Sequence, residues 1–86
     1  MSQIHFELEA LQKNLEDDLL RLYGPVLTGD VLIKALGYVS KDSFLQSIVR
    51  KTVPVQLFEI ERRRGNYALT KDVARYLAER RYSSKI

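Results

Sequence analysis

Cysteine and tryptophan are absent from the chain, glycine occurs four times and proline twice. Without cysteine, neither a disulfide nor a thiolate metal site can staple the fold, and 86 residues is near the lower end of what folds unaided. Stability has to come from one apolar core, which an apolar fraction of 45% can supply. No apolar run approaches the roughly 20 residues that cross a bilayer. The opening MSQIHFELEA lacks a basic leader and an apolar h-region, so neither a signal peptide nor a membrane partner is expected, and the cytoplasm is the default compartment. Catalytic features are equally scarce. The scattered glycines build no phosphate-cradling loop, and no serine sits in a nucleophile motif. His5 is the single histidine and has no second ligand type at useful spacing. Glu16, Asp17 and Asp18 are adjacent, but successive helical side chains diverge by about 100°, so they do not converge on one substrate. No enzyme activity, cofactor, metal or small-molecule ligand is expected.

What the chain does have is charge, unevenly placed. Residues 1–40 hold six acids against three bases, and residues 41–86 hold eleven bases against five acids. The halves therefore carry −3 and +6, within a net charge of +3. A basic C-terminal surface suits a polyanion, although the same charges also solvate helix faces.

Residues 3–23 predict one amphipathic helix, because Ile4, Leu8, Leu11, Leu15 and Leu22 follow four-three spacing with Leu19 beside the stripe. Gly24-Pro25 ends it. Thr28 is placed to cap a helix over about 29–36 with Val31, Leu32, Ala35 and Leu36 on its apolar face, and Gly37 stops that helix. Ser40 caps the next, about 41–51, expected to bury Phe44, Leu45, Ile48 and Val49, with Asp42 in its first turn to suit the dipole. Two short helices across a glycine-containing turn make a helix-turn-helix signature. Residues 53–60 are rich in β-branched and aromatic types and look extended, Arg62-Arg63-Arg64-Gly65-Asn66 reads as a turn, and Tyr67-Ala68-Leu69 as a return strand. A β-hairpin with a basic tip is the expectation. Thr70 is placed to cap a last helix, about 71–81, burying Val73, Ala74 and Leu77. The expected division is a helix over 1–24, a domain over 25–82 and a frayed tail at 83–86.

The run from Leu27 to Leu77 resembles the winged helix-turn-helix superfamily of phage excisionases and MerR-type DNA-binding domains. The likeness rests on Leu27-Thr28, Leu36-Gly37-Tyr38, Ser40, Thr52-Val53-Pro54-Val55, Arg63-Arg64-Gly65, Leu69-Thr70-Lys71-Asp72-Val73 and Tyr76-Leu77. It implies an α+β, mostly helical fold with a two-stranded wing, to which this chain adds its N-terminal amphipathic helix. It also implies that the second helix of the pair enters the major groove while the wing meets phosphate or the minor groove, in transcription control or recombination directionality.

The residues themselves nominate the contacts. Opposite the expected apolar arc of helix 41–51 lie Ser43, Gln46, Ser47 and Arg50, types that suit base edges, with glutamine pairing to adenine and arginine to guanine. Lys41, Lys51, Arg62, Arg63, Arg64 and Tyr67 are candidates for the DNA backbone or minor groove. Three adjacent arginines repel one another and give nothing to a core, a cost that phosphate binding offsets. Double-stranded DNA is the expected partner, the alternative being a protein-interaction module on the same fold. Ile4, Leu8, Leu11, Leu15 and Leu22 also mark a heptad seam, interrupted at Asp18, and a homodimer paired along it is the expectation. The competing arrangement folds this helix onto the core.

Overall fold

The four-three leucine spacing forms the helix it predicts. The computed structural model describes residues 3–83, with side chains from Phe6 onward, and its first element, α1, runs Gln3–Tyr23. The side chain of Ile4 and the tail residues 84–86 lie outside the described residues. There follow β1 (Val26–Thr28), α2 (Gly29–Ala35), α3 (Lys41–Arg50), β2 (Tyr67–Leu69) and α4 (Thr70–Ser83). The described chain is thus a small, mostly helical α+β unit with one two-stranded antiparallel sheet. The last helix runs two residues past the expected end at 81, so Ser83 closes α4 rather than opening the tail.

The sheet differs from the expected hairpin. Its strands are β1 and β2, with Val26 opposite Leu69, Leu27 opposite Ala68 and Thr28 opposite Tyr67. Residues 53–60 form no strand. From that stretch only Phe58 pairs with the sheet, exchanging both backbone bonds with Tyr67 at 2.9 Å on the side of β2 away from β1. Pro54 has no N–H to give a ladder, which limits how far pairing can extend there. Val26-Leu27-Thr28 is the segment that covers the other edge of β2.

Two caps also differ from expectation. The Thr28 hydroxyl makes no capping bond to α2 and instead donates to the Asn66 carbonyl at 2.7 Å. Thr70, fully buried at the start of α4, donates its hydroxyl to the Gly24 carbonyl at 2.7 Å and its amide to the Pro25 carbonyl at 2.9 Å. Ser40 does cap α3, accepting from the Ser43 amide at 3.1 Å.

Leu27, Leu32, Ile33, Leu36, Phe44, Ala68 and Val73 form the core, with Leu19, Ile48, Val53, Val55, Leu57, Tyr76 and Leu77 packed around it. Each fully buried aliphatic side chain contributes about 1.5–3 kcal/mol. Tyr38 meets Phe44 edge-on at 5.4 Å, tying the α2–α3 turn to that core. The most extensive contact between elements is α1 on α4. Thr70 joins the end of α1 to the start of α4, and α4 then runs back along α1. Ala74 and Ala78, both fully buried one turn apart, let the helices approach closely. Leu8, Leu11, Leu15 and Leu19 lie on the half-buried side of α1, while Leu22 is 63% exposed.

Candidate nucleic-acid interface

Helix α3 presents a different face from the one its sequence suggests. Phe44 is buried and Ile48 half-buried, but Leu45 is 41% and Val49 81% exposed. The open stripe is therefore Asp42, Leu45, Gln46, Val49 and Arg50, a run at i, i+3, i+4, i+7 and i+8. The expected burial of Leu45 and Val49 is wrong. Phe44, Leu45, Ile48 and Val49 span an arc of about 140°, and a core this small covers only the Phe44–Ile48 side of it.

The four expected base-contacting residues are divided by that rotation. Gln46 and Arg50 stand exposed on the open stripe. Ser43 and Ser47 are half-buried, and the Ser43 side chain is engaged at the start of the helix. The Ser43 hydroxyl lies 3.0 Å from that of Ser40, and the Ser47 carbonyl accepts from the Thr52 amide at 2.9 Å. Ser40-x-x-Ser43 is a local capping pattern, and it was the available signal that Ser43 is occupied.

The arginine run lies on a loop whose root is well tied. The Phe58–Tyr67 bridge closes residues 59–66, with the two rings 6.2 Å apart. Thr28 holds the Asn66 carbonyl, and the half-buried Tyr67 donates its hydroxyl to the Arg64 carbonyl at 3.2 Å. Arg62, Arg63 and Arg64 are all exposed. Arg63 donates its amide to the Ile60 carbonyl at 2.9 Å, closing a four-residue turn with Arg62 at its third position.

Backbone strain singles out two basic residues. Among the described residues, Lys51 (φ 59°) and Arg62 (φ 67°) are the non-glycine positions with positive φ. Helices α2 and α3 end with the same bonding pattern. After α2, Gly37 N–H reaches the Lys34 carbonyl and Tyr38 N–H the Ile33 carbonyl; after α3, Lys51 and Thr52 do the same to Ile48 and Ser47. Gly37 (φ 89°) fills the left-handed position without a Cβ penalty, whereas Lys51 holds it with one. Strain of this kind, about 1–3 kcal/mol per residue, tends to persist at functional sites. Sequence reading had no signal for it, because nothing local to Lys51 or Arg62 asks for positive φ.

Ion pairing leaves these cations available. The pairs between described side chains are Lys13–Asp17 (3.6 Å), Asp18–Arg21 (3.0 Å) and Asp72–Arg75 (3.8 Å), each within α1 or α4. Exposed pairs of this kind are worth little. Among the described residues, none of Lys41, Arg50, Lys51, Arg62, Arg63 or Arg64 is in an ion pair, although Glu59 and Glu61 share the arginine loop.

Among the described residues no group of three His, Asp or Glu is placed to hold a metal ion, and no helix is long and apolar enough to cross a membrane. Comparison with protein-family models, curated proteins and solved structures finds no match for this chain.

Proposed function

We propose that this chain is a winged helix-turn-helix module that binds double-stranded DNA, acting as a small transcriptional regulator or an excisionase-like recombination accessory factor. The observation that carries the reading is a pairing of two features. One is a solvent-facing helix bearing Gln46 and Arg50. The other is a loop of three exposed arginines, without ion pairs among the described residues, rooted on the sheet. The element order supports it: helix, short strand, two helices across a tight turn, a basic loop between paired positions, a strand and a closing helix. In that arrangement α3 is the groove-reading helix and loop 59–66 the wing. Lys51 and Arg62, cations that stand where glycine would be more comfortable, fit a role in meeting phosphate.

The test is a selection of bound fragments from a pool of random duplex DNA, followed by fluorescence anisotropy on the recovered duplex and an unrelated one. Recovery of a preferred sequence bound at least about 1000-fold more tightly than the unrelated duplex supports the reading. A pool that yields no enrichment overturns it. A second reading, a protein-interaction module on the same fold, is favoured by one observation: Val39, Leu45 and Val49 are large apolar side chains standing in solvent at the α2–α3 turn and on α3.

A further inference from the structure

On α3, Leu45 precedes Gln46 and Val49 precedes Arg50, so apolar and polar side chains alternate along one open face. Val49 is 81% exposed and Leu45 41%, and leaving both in water forgoes their burial. We propose that Leu45 and Val49 read thymine, packing on the 5-methyl groups that thymines display in the major groove beside the bases met by Gln46 and Arg50. The inference rests on the DNA-binding reading and deepens it, because it names the chemical feature recognised.

Three considerations carry it. The stripe carries one acid at its start, Asp42, and ends on Arg50 with Lys51 beside it, both exposed and outside any ion pair among the described residues, so the Leu45–Val49 end is flanked by cations, which suits a polyanion better than an apolar protein surface. The apolar group exposed in the major groove of unmodified DNA is the thymine methyl, while the other base edges there are donors and acceptors. The spacing also fits. Residues four apart rise about 6 Å along a helix, close to two base steps of about 3.4 Å, so Leu45 and Val49 address bases about two steps apart when α3 lies along the groove.

Deoxyuridine pairs as thymidine does and lacks only the methyl group, so it isolates the interaction. The duplex recovered by selection is resynthesised with deoxyuridine in place of each thymidine in turn, and affinity is read by fluorescence anisotropy. The expected result is about a 4-fold loss at one or two positions, the fold-change corresponding to about 0.8 kcal/mol for one buried methyl or methylene group. Val49→Ala is expected to keep its helix, since alanine has the higher helix propensity and the side chain makes little contact with the core. That variant should bind the thymidine and deoxyuridine duplexes equally at one of those positions. Wild-type protein that binds every deoxyuridine duplex as tightly as the parent overturns the proposal while leaving DNA binding intact. A pool that yields no duplex removes the DNA reading and this inference with it. If the Leu45→Gln, Val49→Gln double variant lowers the sedimentation coefficient and leaves DNA affinity unchanged, a protein covers the stripe instead, and the proposal is again overturned.

Discussion

Neutralising the arginine loop should change how DNA affinity depends on salt more than it changes which sequence is preferred. Arg62, Arg63 and Arg64 are exposed, and none is held in an ion pair among the described residues, so each is available to one phosphate. A phosphate contact on duplex DNA contributes about 0.9 to the slope of log affinity against log salt, so three contribute at most about 2.7. Between 50 and 200 mM salt that slope corresponds to about a 40-fold change in affinity. The perturbation is the triple replacement of these arginines by glutamine, which removes charge while keeping length. The carbonyl-directed bonds from Thr28 and Tyr67 that root the loop are backbone-directed and stay in place. Fluorescence anisotropy across a salt series, on the selected duplex and on an unrelated one, should show the slope flattened by up to about 2.7 on both. Parallel salt lines for wild type and the triple variant would refute the phosphate role and return the loop to a solubility device.

Gln46→Ala and Arg50→Ala should each cost about 1–3 kcal/mol at the selected site and relax preference at one base position, measured by anisotropy on duplexes varied at that position. Unchanged affinity and preference in both would detach α3 from base reading. Lys51→Gly should raise the thermal midpoint, by relief of strain on the order of 1 kcal/mol, while weakening binding to every duplex alike; a variant that is both destabilised and full-strength in binding would contradict the assignment. A chain starting at Gly24 is expected to lose cooperative unfolding, because it strips the layer packed on α4 and leaves Ala74 and Ala78 uncovered. Since Leu8, Leu11 and Leu15 are already half-buried, the full chain is expected to stay monomeric in sedimentation equilibrium at high micromolar concentration. A dimer there would contradict that outcome and support the homodimer expected from the heptad seam.

Helix positions were legible in the sequence, since each rests on short-range periodicity rather than on a distant partner. The four-three stripe gave α1 its observed span, Ser40 gave the start of α3, and Gly37 gave the end of the preceding helix with its left-handed φ of 89°. Of the four residues expected to meet bases, Gln46 and Arg50 stand exposed and Ser43 and Ser47 are half-buried, while the expected burial of Leu45 and Val49 does not occur. Leu45 and Val49 stay exposed because the apolar arc of α3 is wider than the surface available to receive it. Periodicity states which residues share a face, but only the packed neighbours decide how far the helix rotates into the core.

Strand pairing was the other thing beyond local reading. Tyr67–Leu69 takes Val26–Thr28 as its partner across some forty residues of chain, and the segment nearer in sequence supplies only Phe58. A hairpin pattern names adjacent partners, and nothing in a three-residue segment announces a distant one. The sequence alone determined a cysteine-free, mostly helical chain with its cations gathered in the second half. Tertiary packing decided that α1 lies along α4, that β1 rather than the 53–60 segment completes the sheet, and that Leu45 and Val49 face water. Each of those outcomes is a competition for the limited surface of one small core, and such a competition is settled only when all the elements are present together.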